Sequence, residues 1–333
     1  MRTSHLAGVG LGLVAAVVFA SATTGPMFAR FLLMFFTPLP IALAGLGWGW
    51  RTAVLASAVG GAAILAFTSP AVASAFVVTQ AAPMVLLTYL ALLNRPLGES
   101  GGASPNDDGT AVEWYPVGRL VLWSAALAGL MSIAMLVLIG GDLETLRKTL
   151  GDFIKTALET GLAQGDGAVQ LSEAEIAAIS EIALGILPAA SAISWMGSLL
   201  GNLWVAGRVT RASGQLGRPW PDLAALTYPV GTPFAFGTAL LASMLSGYPG
   251  LVASALTGGL FLAYLLLGLA ILHYTTRGRP WRPIALWVLY GTLLVVNIWI
   301  AIIVVVLGLA ETVLHLRARV SAASRPPPSH PNT

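Results

Sequence analysis

Residues 25–50, GPMFARFLLMFFTPLPIALAGLGWGW, decide how this chain folds. The stretch is long enough to cross a bilayer, which takes about 20 apolar residues, yet it carries Arg30 near its start and Pro38 and Pro40 in its middle. A plain anchor helix needs neither the charge nor the interruption. Transporters often build substrate sites at broken hydrophobic segments, because the freed carbonyl and amide groups can face a ligand instead of lipid. The stretch therefore predicts a broken membrane span with a binding role.

The whole chain has the composition of a membrane protein. Of its 333 residues, 56% are hydrophobic and only 9% are charged, and the mean hydropathy is +0.82. A soluble domain carries about 25% charged residues, so this chain lacks the polar surface that would let it face water on all sides. We therefore expect an all-α, polytopic transmembrane helix bundle of about nine spans (about eight to ten), with an amphipathic helical insertion.

The charged residues and the lack of cysteine narrow the partners. The net charge is +3, and the basic residues stand at the ends of apolar segments rather than in one patch. Such residues orient a membrane protein, so we expect the lipid bilayer as a partner and no nucleic acid. Because there is no cysteine, disulfides, thiolate metal sites and iron–sulfur ligation are excluded. The Ala- and Arg-rich usage suggests a bacterium, and hence multi-pass insertion in the cytoplasmic (inner) membrane.

Apolar segments and the polar stretches between them predict four parts. Residues 1–140 form an N-terminal transmembrane bundle of about five spans, including the broken one. Residues 141–187 form amphipathic extramembrane helices, residues 188–315 a C-terminal transmembrane bundle of about four spans, and residues 316–333 a disordered tail. A flexible polar loop, residues 94–116, separates the fourth span from the fifth.

The first segment, residues 1–24, allows two interpretations. Arg2, an apolar run and the small residues at 20–22 match a signal peptide with its cleavage site. Alternatively, the segment is a first transmembrane helix, in which Gly8 and Gly12 have the spacing that lets two helices approach closely. Another apolar segment follows almost at once, which favours the helix.

The insertion has the pattern of a surface helix followed by a capped second helix. Leu143, Leu146 and Phe153 recur at helical spacing, with Glu and Lys pairs at i,i+4 on the other faces. This pattern is typical of a helix that lies on the membrane or over the mouth of a bundle. Residues 172–175, Ser-Glu-Ala-Glu, form a capping box. A second helix therefore begins there and continues, kinked at Pro188, into the sixth span.

Nine spans conflict with the charge distribution. With a cytoplasmic N-terminus, Arg317 and Arg319 would lie outside, which the positive-inside rule disfavours. An even count, with one segment re-entrant or split, would bring them inside. The two weakest spans, residues 27–48 and 228–247, are the candidates, and each contains a Thr-Pro pair. These spans are either corresponding broken elements of two halves or a chance similarity between apolar runs.

Polar residues inside the predicted spans are functional candidates, because burying them in hydrocarbon is costly. Two structural interpretations stand beside this one: Arg30 is close enough to a segment end to snorkel to the headgroups, and Gln80 and Asn202 fit interhelical hydrogen bonds. Asn297 lies nearly at mid-membrane in the last span. The predicted ligand-binding set is Arg30, Pro38, Pro40, Gln80, Asn202 and Asn297.

Enzyme signatures are missing from the sequence. The patterns H-E-x-x-H, G-x-S-x-G and a Gly-rich loop ending in Lys-Ser or Lys-Thr do not occur, and no acidic pair lies within a span. With four His and no Cys, a structural metal site is not expected. We therefore expect no enzymatic activity, no cofactor and no metal.

The order of the segments resembles a known family. Four apolar segments with a Pro-interrupted second one, a polar loop, a fifth segment, a long amphipathic insertion and a kinked return are similar to the YybS-like family of uncharacterised bacterial multi-pass membrane proteins. The features that carry the likeness are Pro-Leu-Pro at residues 38–40 and Gly-Trp-Arg at residues 49–51, and it covers about residues 5–315. The N-terminal part is also reminiscent of the substrate-binding subunits of energy-coupling-factor vitamin importers, although no vitamin-binding motif of those subunits matches.

Two functions follow as hypotheses. The first is a transport-related protein, a substrate-capture or permease-like subunit for a small molecule, whose site lies where residues 27–48 meet neighbouring helices. Its partners would be other membrane subunits or an ATPase module. The second is a non-transporting scaffold or assembly factor that holds partner proteins through residues 141–187 and the basic loops. Convergence of Arg30, Gln80 and Asn297 on one cavity favours the first, and an exposed apolar stripe on the insertion favours the second.

Overall fold

The computed structural model describes residues 2–23, 26–96, 112–140, 142–162, 172–295 and 298–323. Over these residues the chain forms α-helices and one two-stranded sheet. The helices are α1 (Arg2–Ser21), α2 (Met27–Phe36), α3 (Leu39–Trp48), α4 (Trp50–Phe67), α5 (Pro70–Phe76), α6 (Ala82–Leu92), α7 (Val117–Gly140), α8 (Leu143–Leu162), α9 (Glu173–Ala212), α10 (Thr232–Ala242), α11 (Tyr248–Thr275), α12 (Arg282–Val295), α13 (Ile298–Leu314) and α14 (Leu316–Ala323). A π-helical turn (Val77–Ala81) joins α5 to α6, a 3-10 turn (Leu223–Ala225) precedes α10, and the strands are β1 (Asn94–Pro96) and β2 (Val112–Trp114).

Seven helical stretches in the described part of the chain are long and apolar enough to cross a membrane. They are Thr3–Ser21, Met27–Trp48, Trp50–Phe67, Pro70–Leu92, Val117–Val137, Glu173–Ala212 and Tyr248–Thr275. Three further apolar helices, α10, α12 and α13, are shorter. The structure is thus the predicted all-α polytopic membrane bundle, whereas the count of nine spans is not confirmed.

Two hydrophobic cores share the long helix α9. The first gathers buried side chains from α1, α3, α4, α6 and α9, with Ile41, Met84 and Leu199 completely buried. The second gathers α7, α9, α11 and α13 around Met196 and Tyr264. Because Leu199 belongs to one core and Met196 to the other, α9 fastens the N-terminal and C-terminal helices together.

The first helix packs closely along α4. Gly8 lies against Thr52 and Leu55, and Gly12 lies against Ala56, so the two helices run parallel. A Cβ atom on Gly12 would lie 2.4 Å from the Ala56 carbonyl oxygen. This distance is too short for any side chain, so the contact requires glycine at this position. The packing favours the transmembrane-helix interpretation of the first segment.

The insertion is a helical hairpin made of α8 and the outer half of α9. The predicted capping box is confirmed, because the Ser172 hydroxyl accepts from the Glu175 amide while the Glu175 carboxylate accepts from the Ser172 amide. An ion pair between Arg147 and Glu181 joins α8 to α9. α9 continues as one helix through Pro188 into the bundle, as predicted.

A short β-hairpin follows the fourth span. β1 and β2 pair antiparallel, and Arg95 forms an ion pair with Glu113 across them. The prediction of a flexible loop over residues 94–116 is therefore wrong at both ends, because the valine and tryptophan of β2 favour extended structure. Residues 97–111 lie outside the described residues.

The described part of the last predicted span, residues 284–310, contains the helices α12 and α13, and residues 296–297 between them lie outside the described residues. α12 starts beside the end of α11, where the His273 ring contacts both Arg282 and Tyr290. α13 packs on α11 through Gly308, whose Cβ position is 2.4 Å from the Tyr264 carbonyl oxygen. Both helices are shorter than the roughly 20 residues of a full span.

Arg317, in the first turn of α14, shows where α13 ends. Its guanidinium donates to the carbonyl oxygens of Ala224 and Leu226, at 2.9 and 2.8 Å, and to Glu311 at 2.8 Å. It also lies 6.0 Å from the ring centroid of Tyr274, which is at the end of α11, where α12 starts. α12 and α13 therefore leave one end of the bundle and return to it.

That end, called the basic end below, also holds the start of α1. α1 and α4 start side by side, and Gly47, just before α4, lies against Thr210 and Gln215 at the end of α9. Asp222 of the next loop pairs with Arg277 after α11. Arginines gather here: Arg51, Arg95, Arg119, Arg208, Arg211, Arg218, Arg277, Arg279, Arg282, Arg317 and Arg319. The opposite end holds Arg30, Arg147, Lys148 and Lys155. Arg317 and Arg319 thus lie at the same end as most other arginines of the described chain.

Candidate functional site

The predicted break in the second span lies between α2 and α3, at Thr37 and Pro38. Because Pro38 has no N–H, the Met34 carbonyl oxygen accepts instead from the Thr37 amide at 3.4 Å. The Thr37 hydroxyl donates to the Leu33 carbonyl oxygen at 2.9 Å, which closes the last turn of α2. Pro40 lies in the first turn of α3. The chain thus crosses the bundle as two short helices joined at a proline.

The Phe35 carbonyl at the end of α2 is held by α9. The Ser198 hydroxyl donates to its oxygen at 2.7 Å, and the Asn202 side-chain amide donates to it at 2.6 Å. Because a carbonyl oxygen has two lone pairs, the Phe35 oxygen is satisfied by the protein. Asn202 is completely buried, and its own Oδ1 has no hydrogen-bond partner among the described residues.

Gln80 reaches the same turn of α2 from another helix. It is completely buried in the π-helical turn that precedes Pro83, and such turns are frequent at functional sites. Its amide nitrogen lies 3.8 Å from the Met34 sulfur and 3.5 Å from the Thr79 hydroxyl. Its Oε1 has no hydrogen-bond partner in the part of the chain that the structure describes. Gln80 and Asn202 therefore contact consecutive residues of α2, and each keeps a buried amide oxygen free.

A groove of about 340 Å³ lies between α2 and α9 beside this turn. Its apolar wall includes Phe31, Met34 and Phe35 of α2 together with Trp195 of α9. Serines at 191, 194 and 198 follow one face of α9 along it. No charged side chain is among the described residues that line it. The groove is therefore an apolar, uncharged site with a row of hydroxyl groups.

The polar groups of this groove that remain free to bind a ligand are hydrogen-bond acceptors. A serine hydroxyl has one proton and two lone pairs. Each lining serine already donates its proton to a backbone carbonyl: Ser191 to Pro188, Ser194 to Ala190 and Ser198 to Phe35. The start of α3 adds few donors, because Pro38 and Pro40 lack an N–H. The arrangement suits a molecule that donates hydrogen bonds.

The structure brings together part of the predicted ligand-binding set. Around the break lie Pro38, Pro40, Gln80 and Asn202. Arg30 lies in the first turn of α2 and is exposed, in agreement with a side chain that snorkels to the headgroups. Asn297 lies outside the described residues. Ser198 and Met34 are not in the predicted set, although Ser198 stands one helical turn before Asn202.

A second groove, of about 420 Å³, lies at the basic end beside the β-hairpin. It is lined by Arg95, Glu113, Trp114, Tyr115 and Arg119, among others. Arg95 and Glu113 neutralise each other. Among the described residues of its lining, the Trp114 indole nitrogen is buried without a hydrogen-bond partner. The first groove lies beside the broken span, where transporters bind their substrates, and is therefore the better candidate.

The comparisons with known proteins identify a family and no nearer relative. The sequence model of one family, described as predicted membrane protein (DUF2232), matches residues 13–312. No curated protein and no solved structure is significantly similar to the chain. The match does not test the YybS-like name or the resemblance to importer subunits, which stay predictions.

Proposed function

The chain belongs to the DUF2232 family of predicted membrane proteins, and we propose that it is a substrate-capture or permease-like subunit for a small molecule in the bacterial inner membrane. Its site is the groove between α2 and α9. The observation that carries the proposal is the pair of buried amide oxygens, Gln80 Oε1 and Asn202 Oδ1, that lack a partner among the described residues beside a broken span. A buried acceptor without a donor costs about 1–3 kcal/mol, and broken spans are where transporters bind their substrates.

The helix α2 is suited to gate this site. The structure describes all of α2 and shows that it buries none of its residues, whereas α3 buries most of its own. Elements with few buried contacts open at low free-energy cost. The junction at Thr37 and Pro38 separates the two helices, so α2 can move while α3 stays packed. Such a movement would uncover Asn202 and Ser198, which are both buried.

The lining defines the class of substrate. Charged ligands are disfavoured, because no charged side chain of the described lining is present to pair with them in a low-dielectric site. The aromatic rings of Phe31, Phe35 and Trp195 supply apolar contact. Gln80 and Asn202 lie beside the groove rather than in its described lining, and their free acceptors require N–H or O–H groups once α2 moves. The expected substrate is an uncharged, partly apolar molecule that donates hydrogen bonds.

The orientation follows from the charge distribution. The excess of arginine at the basic end places that end in the cytoplasm by the positive-inside rule. Both ends of the described chain then lie in the cytoplasm, and the number of passes is even. The groove lies in the half of the bundle away from the basic end, because its α9 residues precede the end of that helix by several turns. A substrate is therefore captured from the outer side.

Cysteine labelling tests the gate cleanly, because the natural chain has no cysteine. Ser194→Cys places a thiol in the groove, and Ser74→Cys, at an exposed position on α5, is the control. We expect Pro38→Ala, which restores an amide at the hinge, to slow maleimide labelling at position 194 and leave position 74 unchanged. Equal rates at position 194 with and without Pro38→Ala would contradict gating by α2.

Purification from native membranes in mild detergent tests the subunit role. Recovery of an ATPase pair with a coupling membrane subunit supports a capture subunit. Recovery of envelope-assembly proteins supports a scaffold instead. A protein that purifies alone contradicts the subunit role, and binding of uncharged donor compounds would then identify a stand-alone carrier.

One observation favours the scaffold as a second candidate function. The insertion exposes an apolar stripe, in which Ile179, Ile182 and Ile186 share one face of α9 and Phe153 projects from α8. Ile182 and Ile186 are 64% and 60% exposed. Exposed apolar patches mark binding surfaces for proteins or membranes. If the scaffold function holds, Ile182→Ser with Ile186→Ser removes the co-purifying partner and leaves labelling at position 194 unchanged.

A further inference from the structure

Two arginines near the end of α9 share the indole ring of one tryptophan. The guanidinium carbons of Arg208 and Arg211 lie 5.6 and 5.5 Å from the ring centroid of Trp220. Arg208 also lies 5.9 Å from the ring centroid of Trp204. Trp220 is held in place against Gly207, whose Cβ position is 3.2 Å from the ring. Two like charges are thus fixed beside one aromatic surface.

The acidic residue closest in sequence to this cluster already pairs with another arginine. Asp222, two residues after Trp220, pairs with Arg277, and the hydrogen bond from Arg277 lowers the pKa of the Asp222 carboxyl. Among the described residues, no ion pair includes Arg208 or Arg211. Two guanidinium groups without a counter-charge create a positive potential that attracts an anion.

The position of Arg208 and Arg211 along the membrane normal indicates which anion they bind. Trp204 is 51% exposed on the outside of the bundle, and tryptophans in such positions sit at the level of the lipid headgroups. Arg208 follows four residues later, about 6 Å further along the helix axis. The arginines therefore reach the phosphate layer of the leaflet at the basic end.

We propose that Arg208, Arg211 and Trp220 form a binding site for the phosphate of an anionic lipid headgroup. The planar guanidinium fork matches phosphate geometry and stacks on an aromatic ring at the same time. The cytoplasmic leaflet carries the anionic lipids of the membrane, and basic pockets beside transmembrane helices on that side bind their headgroups. The site is separate from the groove between α2 and α9 and does not depend on the function proposed for it.

The test uses the full chain in mild detergent with phosphatidylglycerol as the probe and phosphatidylcholine as the uncharged comparison. Native mass spectrometry measures the retained lipid. Each arginine near the surface contributes about 1 kcal/mol, so Arg208→Gln with Arg211→Gln should weaken phosphatidylglycerol binding roughly thirtyfold. The matched control is Arg279→Gln with Arg319→Gln, which removes two exposed charges from the same end and should change binding by less than about threefold.

A second variant guards against loss of folding. Arg208→Lys with Arg211→Lys keeps both charges but loses the planar fork, so we expect binding between that of the wild type and that of the glutamine variant. Equal retention of both lipids, or wild-type phosphatidylglycerol binding in the glutamine variant, overturns the proposal. Inorganic phosphate distinguishes the source of the anion. If millimolar phosphate displaces the lipid and stabilises the protein by itself, the cluster binds free phosphate and the lipid assignment is wrong.

Discussion

The second span and the segment around the short helix α10 each contain a Thr-Pro pair, Thr37-Pro38 and Thr232-Pro233. In each, the threonine hydroxyl donates to a backbone carbonyl one turn back, at 2.9 and 2.8 Å, and a short helix begins at the pair. The chain before the pair differs. In the second span it is the helix α2, whereas before α10 the non-helical residues 226–231 enter the bundle from the basic end.

The two breaks are closed by different chemistry. At the first, the neutral side chains of Ser198 and Asn202 hold a carbonyl inside the bundle. In the segment before the second Thr-Pro pair, the guanidinium of Arg317 holds the carbonyls of Ala224 and Leu226 close to the basic end. A charge is costly in the middle of a membrane and is tolerated near its surface. The first break is therefore held by neutral hydrogen bonds, as the proposed ligand site requires, while the chain that leads to the second is held by a guanidinium.

Arg317→Met should have the largest effect on this comparison. It removes the guanidinium that holds the chain before the second Thr-Pro pair. It leaves Glu311 without its partner where the two side chains are only 11% and 10% exposed. Breaking a buried ion pair costs about 3–5 kcal/mol, so we expect a loss of that order in the free energy of unfolding, measured by denaturant titration in mild detergent. Arg319→Met, at an exposed position, is the control. If Arg317→Met is as stable as the wild type, Arg317 does not hold the segment before the second Thr-Pro pair.

Ser198→Ala combined with Asn202→Leu should have the next largest effect. The pair of changes leaves the Phe35 carbonyl without its donors from α9, and an unsatisfied buried carbonyl costs about 1–3 kcal/mol. The same unfolding titration measures the loss. Ser194→Ala is the control, because that hydroxyl bonds only within its own helix, to Ala190. Equal stability of the double variant and the control would mean that α9 does not hold the break.

Thr37→Val and Thr232→Val test whether the two Thr-Pro pairs are equivalent locally. Each change removes one hydroxyl-to-carbonyl hydrogen bond, which contributes about 0.5–1.5 kcal/mol net. We expect similar losses in the free energy of unfolding for the two variants. A much larger loss at Thr37, which is completely buried, would show that its hydroxyl has a role that Thr232 lacks.

The smallest effect on stability is expected from a change at Asp222. This residue joins the loop before α10 to the end of α11 through Arg277. The hydrogen bond from Arg277 lowers the pKa of Asp222 below its ordinary value of about 3.9. This stabilisation is therefore present above that pH and is lost as the pH falls through the lowered pKa. Because both side chains are about half exposed, water screens the pair and its contribution to the free energy of unfolding is small.

Unfolding titrations between about pH 6 and pH 3 measure this contribution. Asp222→Asn should be slightly less stable than the wild type at the upper pH, and the difference should vanish as the pH falls below the pKa of Asp222. A difference that persists at the lowest pH would contradict an electrostatic origin.

Most of the membrane-spanning plan could be predicted from the sequence, because hydropathy, capping and proline effects act within a few residues. The long helices, the capping box at Ser172 and the break at Pro38 are of this kind. The return of α13 toward the basic end could not be predicted. Its direction depends on Arg317 and its contacts with Ala224 and Leu226, which are 93 and 91 residues earlier, and an apolar run does not show where it turns.

The candidate site divides in the same way. Buried Gln80 and Asn202 could be selected from the sequence because polar side chains are costly in apolar spans. Their joint contact with the last turn of α2 could not, since Ser198 and Asn202 are 163 and 167 residues away from Phe35. The role of Arg30 could not be predicted from the sequence. A charge near a segment end has the same pattern whether it meets a ligand or a headgroup.

The length of α9 has a mechanical consequence. Its 40 residues extend about 60 Å, twice the thickness of the hydrocarbon layer at about 30 Å. The outer half is clamped to α8 by Arg147 and Glu181, and the inner half is wedged between both cores. α9 is therefore one continuous connection between the α8 hairpin and Asn202, which holds the end of α2. A force applied to α8 would be transmitted along this helix to the break in the second span.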